Sequence, residues 1–150
     1  MNSVHKELRK LANYSSSEFP AITRILYTKE DLEARDYFIS LCEEIGLKIK
    51  IDPIGNIYAR WEGSDASLPA IATGSHIDAI PLSGMYDGTV GVYGGLAAIR
   101  DLKNTGYQPK RSVELILFTS EEPTRFKLGC IGSRMLCGQL TKEDVVKLVD

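Results

Sequence analysis

The order of apolar and polar positions divides the chain into two stretches with different elements. Val4, Leu8 and Leu11 recur at helical spacing and predict a short amphipathic helix over residues 1–13. Ser15-Ser16-Ser17-Glu18-Phe19-Pro20 breaks that pattern and reads as a loop. Thr28 is placed as the N-cap of a second helix, with Asp31 at the capping-box position. Leu32, Tyr37, Phe38, Leu41, Cys42 and Ile45 form its apolar face, and Gly46 is its stop. Leu47-Lys48-Ile49-Lys50-Ile51 alternates as a strand with one wet face. Pro53-Ile54-Gly55-Asn56 is a turn, and Ile57-Tyr58-Ala59-Arg60-Trp61 alternates again as the hairpin partner.

The pattern changes at Pro69. Ala70-Ile71-Ala72-Thr73-Gly74 is a short apolar run, as expected of a strand buried on both faces. Residues 75–86 read as a loop, rich in Gly and Pro. A helix follows Asp87, with Val90, Leu96, Ala97, Ile99 and Leu102 apolar, and residues 113–118 form another apolar strand. A last helix starts at Thr141, capped with Asp144. Strand, helix, strand at this spacing is a βαβ unit. The expected fold class is therefore α/β, with a mixed, largely parallel sheet flanked by helices.

Composition narrows the class without naming a function. The chain has 150 residues, 43% apolar and 25% charged, with a formal net charge of −2. That is an ordinary globular composition, with no basic surplus for nucleic acid or an anionic membrane. No apolar run is long enough to span a bilayer, and residues 1–7 show no secretory h-region, so a cytoplasmic protein is expected. Cys42, Cys130 and Cys137 are odd in number and contain no CxxC, which argues against a zinc ribbon or a disulfide framework. The chain has two histidines, His5 and His76, so any metal site built from it is poor in imidazole.

Chemistry-bearing residues cluster after the two buried strands. His76 and Asp78 follow the first, and Glu121 and Glu122 follow the second. In open α/β sheets, ligands sit outside the carboxyl ends of strands. His76 offers a neutral nitrogen donor suited to zinc, manganese, cobalt or nickel. Asp78 is placed to accept the other ring N–H and fix the tautomer. Asp87 alone would serve as a helix N-cap; between His76 and the Glu pair it reads as a further metal ligand. Adjacent carboxylates repel and lose hydration unless a cation or proton offsets them. Neighbouring side chains in extended backbone diverge. One glutamate can then bind metal while the other faces a water as general base. Gly88-Thr89-Val90-Gly91-Val92-Tyr93-Gly94-Gly95 lacks the phosphate-loop pattern. Neither Cys130 nor the serines have a triad grammar.

Three segments in order resemble a known family: Thr73-Gly74-Ser75-His76-Ile77-Asp78, Gly84-Met85-Tyr86-Asp87-Gly88 and Ser120-Glu121-Glu122. They are similar to the motifs of the binuclear-metal hydrolases that include aminoacylases, carboxypeptidase-type exopeptidases and N-carbamoyl amidohydrolases. Glu121-Glu122-Pro123-Thr124-Arg125-Phe126 and Thr23-Arg24-Ile25-Leu26-Tyr27-Thr28 look most like the ureido branch, that of the ureidoglycolate and allantoate amidohydrolases. The resemblance runs over about residues 19–140. It implies two divalent ions, manganese or zinc first, cobalt or nickel possible. His76 would bind one ion, Asp87 bridge both, Glu122 bind the second, Glu121 act as general base and Asp78 support His76. It also implies a cis peptide at Asp87–Gly88. The implied reaction is hydrolysis of a ureido C–N bond, with ureidoglycolate giving glyoxylate, ammonia and carbon dioxide. Allantoate, an N-carbamoyl amino acid or a peptide are the alternative substrates, and an inactive fragment is the alternative role. Family members are longer, take further ligands from later segments and dimerise through a second domain. Residues 1–150 are therefore expected to be the N-terminal portion of the catalytic domain, with the full-length form a homodimer acting on a small ureido substrate.

Overall fold

The computed structural model describes the backbone of residues 3–150. The first helix, α1 (Ser3–Leu11), forms on the predicted apolar spacing; positions 1 and 2 of the expected helix lie outside the described residues. Helix α2 (Lys29–Glu44) follows, with Thr28 as its N-cap in extended conformation. The expected capping box is not formed. The Thr28 hydroxyl donates to the Ile25 carbonyl, and Asp31 Oδ2 accepts from the Tyr27 amide, because the segment before α2 curls back on itself. Tyr37, Phe38 and Cys42 are buried, whereas Leu32, at 49% exposed, leaves the expected apolar face. Gly46, at φ +71°, ends the helical region as its sequence position predicts.

The hairpin forms as β2 (Lys48–Ile51) and β3 (Ile57–Trp61), paired antiparallel. Strand β4 (Ile71–Ser75) runs parallel to β6 (Val113–Leu117), and β6 pairs antiparallel with β3. The main sheet thus has the order β2-β3-β6-β4. It is mixed, as expected, but its parallel share is the β4–β6 pair. Helix α3 (Thr89–Asn104) is the crossover of that βαβ unit. Phe38, Cys42, Ile57, Ala59, Trp61, Tyr93, Leu96, Leu115 and Leu117 pack into one core cluster between the sheet and its helices.

Strand β4 departs from expectation. Residues 71–74 are exposed, Ile71 at 57%, where the apolar run predicted burial on both faces. The strand lies at the edge of the sheet, so among the described residues no neighbour covers its outer side. Its backbone still lies close against β6: a Cβ on Gly74 would come within 2.2 Å of the Ile116 carbonyl oxygen.

Inside the predicted 75–86 loop runs β5 (Ala79–Ser83), which pairs antiparallel with the equally unpredicted β1 (Ile22–Arg24). Both strands are short, their register shifts between Ile22 and Arg24, and Pro81 interrupts the pattern. Short α4 (Ile131–Leu136) was also unpredicted. Helix α5 (Lys142–Val145) carries the capping box expected of Thr141 and Asp144. Among the described residues no helix is long and apolar enough to cross a membrane.

Candidate metal centre

Parallel neighbours deliver their carboxyl ends to one place. Ser75 of β4 lies opposite Leu117 of β6, and the Phe118 amide donates to the Ser75 carbonyl at 2.8 Å. His76 therefore leaves β4 beside the chain that carries Glu121 and Glu122. Ligand atoms of His76, Glu121 and Glu122 all lie within 4.8 Å of one another. His76 Nε2 lies 3.4 Å from Glu121 Oε2.

The imidazole is 7% exposed and held from both sides. Its Nδ1 lies 2.9 Å from the Asp78 backbone carbonyl and 3.5 Å from Asp78 Oδ1. Both are acceptors, so Nδ1 carries a proton, and in the neutral ring that a metal requires it is Nε2 that would present its lone pair to the carboxylates. The supporting role expected of Asp78 is thus shared between its main chain and its carboxylate. On the other side, a Cβ on Gly88 would lie 2.4 Å from His76 Nε2. Gly88 also takes φ +62° as the N-cap of α3, a conformation that favours glycine. That turn reverses the chain without the expected cis bond: the cis peptide found among the described residues is Phe19–Pro20.

Asp78 also connects the two strand ends, its Oδ2 accepting from the Glu122 amide at 3.0 Å. Burial, and then the charge of Glu121, push the Glu122 carboxyl above its usual range; Asp87 and Asp78 add to this and His76 opposes it. Burial alone would lower the His76 pKa, but the hydrogen bond and charge of Asp78, together with Glu121, outweigh it and raise it to about 9. A crowded set of carboxylates around one imidazole is an environment that a cation relieves. Asp87 belongs to the electrostatic surroundings of Glu122, but its carboxylate stands outside the group of three.

Three supporting residues escaped the sequence reading. Arg24, 1% exposed, donates to the carbonyls of Leu11, Tyr14 and Ile77, the last lying between His76 and Asp78. Cys130 Sγ donates to Glu121 Oε1 at 3.5 Å. Asn56, read only as part of a turn, is fully buried against Thr119 and Gly132. The Thr23-Arg24 segment of the resemblance was the one signal that pointed at any of them.

A family model described as peptidase family M28 matches residues 56–149. Ureidoglycolate hydrolase of Oryza sativa subsp. japonica is 54% identical over 137 residues, which is 91% of this chain and 28% of that protein. Allantoate amidohydrolase of Bacillus subtilis is 34% identical over 143 residues, 95% of this chain and 35% of its own length. Among solved structures, that of AtUAH in complex with glyoxylate has a TM-score of 0.93 at 49% identity, covering 98% of this chain and 35% of that one. The chain spans about a third of the length of the curated relatives it matches.

Proposed function

The chain belongs to peptidase family M28, and on that premise we propose that it carries part of a two-metal centre that hydrolyses a ureido C–N bond, with ureidoglycolate as substrate. The observation that supports this most is the convergence of His76 Nε2 with Glu121 and Glu122 at the ends of two parallel strands. The donor set fits a divalent ion. Nε2 is turned to the carboxylates while Nδ1 is engaged elsewhere, and the mix of imidazole and carboxylate suits manganese or zinc. Manganese is the first choice.

His76 and Glu122 are the proposed end ligands, and Asp87 the proposed bridge. Bound ions supply Lewis acidity, making a water more acidic and the scissile carbonyl more electrophilic. Glu121 accepts the proton of the attacking water and returns it to the leaving nitrogen. Its side chain is 39% exposed, so it is open to substrate while His76 is covered. Asp78 keeps Nδ1 protonated and ties the Glu122 backbone to the histidine. Residues 1–150 are read as the front portion of the catalytic domain of a longer, homodimeric enzyme, whose other segments complete the ligand shell. The substrate assignment is supported by the relatives named ureidoglycolate hydrolase.

The test is ammonia release from ureidoglycolate, allantoate and an N-carbamoyl amino acid by the full-length enzyme carrying this segment, with and without chelator. Chelator-sensitive turnover that favours ureidoglycolate and disappears in His76→Ala supports the proposal. Turnover that survives both treatments overturns the metal centre, and a preference for allantoate overturns the substrate.

A further inference from the structure

The β2–β3 turn holds the carboxylate end of the site from below. Asn56 Oδ1 accepts from the Thr119 amide at 2.9 Å. Its Nδ2 donates to the Gly132 carbonyl at 3.1 Å and to Asp52 Oδ2 at 2.8 Å. The Asp52 carboxylate only accepts, which fixes the Asn56 amide with its nitrogen toward Gly132 and its oxygen toward Thr119. Thr119 and Gly132 are in turn bonded to each other, Gly132 N to Thr119 O at 2.9 Å. Ile131 N to Ser120 O and Cys130 N to Glu121 O follow, also at 2.9 Å each. Residues 119–121 are thus laced to residues 130–132 by three consecutive bonds. Asn56 closes one end of the lace, and the Cys130 thiol on Glu121 Oε1 closes the other.

This lace holds backbone away from its preferred conformations. Ser120 and Cys130 sit at φ +54° and +58°, a region that non-glycine residues rarely occupy and that persists only when the surroundings enforce it. Gly132 is closed to any side chain, since a Cβ there would lie 2.1 Å from Asn56 Oδ1. The lace also keeps Glu121 and Glu122 beside His76, although like charges gain by separating. Without Asn56, the Thr119 amide and the Gly132 carbonyl lose a buried partner, and water enters the end of the lace that adjoins β6.

We infer that Asn56 is a positioning residue for the Glu121–Glu122 pair, acting through the Thr119 amide and the Gly132 carbonyl. Its functional meaning rests on the proposed metal centre; its geometry does not. Neither the motif residues nor the ligand cluster includes it, and it lies 63 positions before Thr119 in sequence.

The experiment compares Asn56→Ala and Asn56→Ser with Ser112→Ala in the full-length enzyme carrying this segment. Ser112 is an equally buried polar control, accepting from Arg60 and Gly63 at the opposite end of β6. Amide hydrogen exchange at residues 119 and 130–132 is read against that of β3, and Mn²⁺ affinity by calorimetric titration. In both Asn56 variants the lace amides exchange faster relative to β3, and Mn²⁺ binds about 10-fold or more weakly, the size expected for loss of an outer-shell support. Ser112→Ala changes neither ratio, although it lowers overall stability. Unchanged exchange at residues 130–132 in a folded Asn56 variant overturns the inference, as does faster exchange with unchanged Mn²⁺ affinity. A wild-type full-length enzyme that binds no Mn²⁺ overturns the metal reading instead, and the exchange pattern still decides whether Asn56 holds Glu121. Should both variants unfold, wild-type exchange decides: opening of 130–132 as one unit with 119 supports the inference, and independent opening overturns it.

Discussion

Asp78 serves Glu122 and His76 at the same time. Its Oδ2 accepts the Glu122 amide at 3.0 Å while its backbone carbonyl receives His76 Nδ1 at 2.9 Å. One residue therefore sets the distance between two proposed ligands that arrive on different strands. Asp78→Ala leaves the carbonyl in place but frees Glu122 and removes the carboxylate beside Nδ1. Loss of such support costs about 10–100-fold in metal affinity. Titration of Mn²⁺ or Zn²⁺ into the variant is expected to show that loss, with a circular dichroism spectrum like that of the wild type. Wild-type affinity in Asp78→Ala would assign Asp78 a purely local role.

Gly88 and Gly94 share a helix region and predict opposite outcomes. At Gly88, φ is +62° and an added Cβ would lie 2.4 Å from His76 Nε2. Gly88→Ala is expected to destabilise the fold by ~1–3 kcal/mol from the positive-φ backbone alone, and to displace the imidazole, removing metal binding. At Gly94 nothing stands within 4 Å of an added Cβ. Gly94→Ala lies inside α3 and is expected to stabilise by roughly 0.5–1 kcal/mol through helix propensity. Urea denaturation of the two variants gives both signs in one experiment.

These two predictions also mark what was legible in the sequence. His76, Glu121 and Glu122 could be placed because apolar runs before polar residues identify strand ends, and a βαβ unit puts parallel strand ends side by side. Gly88 was visible as part of Asp87-Gly88, but its role depends on the ring of His76, which no local pattern encodes. Burial of β4 was misread because an apolar run records what a strand can tolerate, whereas its position at the sheet edge decides what it meets. The Thr28–Asp31 box failed because Tyr27 and Ile25, just before the helix, supplied competing partners. Asn56 stayed hidden because its partners, Thr119 and Gly132, lie 63 and 76 positions away.

Arg24 gives a stability prediction. It is 1% exposed and satisfies three carbonyls: Tyr14 at 2.8 Å, Leu11 at 2.7 Å and Ile77 at 2.8 Å. Arg24→Met fills much of the same space but leaves all three acceptors without that donor. At ~1–3 kcal/mol for each buried group left unpaired, the expected loss is large for a domain of this size. Lysine is expected to restore only part of it, since an ammonium does not reproduce the planar fork. A loss below about 1 kcal/mol on urea denaturation would mean that water replaces the guanidinium in that site.

The cysteines make the last prediction, which carries a pH sign. Cys42 is 0% exposed, and burial pushes its thiol up to about 12, with Arg100 opposing. Cys137 is exposed. The thiolate is the reactive form. At pH 8 a thiol of pKa about 12 is ionised in roughly one molecule in 10⁴, so Cys42 in the folded chain is expected to resist iodoacetamide while Cys137 reacts readily. The same shift links to stability. Below the unfolded thiol value of 9.0, Cys42 is neutral in both states and its burial costs nothing in ionisation. Above it, the unfolded chain ionises and the folded chain does not, so stability falls as pH rises toward about 12. Each pH unit in that window costs up to about 1.4 kcal/mol from this group. Denaturation curves at pH 8 and pH 10.5 should therefore differ more for the wild type than for Cys42→Ala. Equal differences would mean that the tyrosines, among them Tyr37, whose hydroxyl burial raises to about 12, carry the alkaline loss instead.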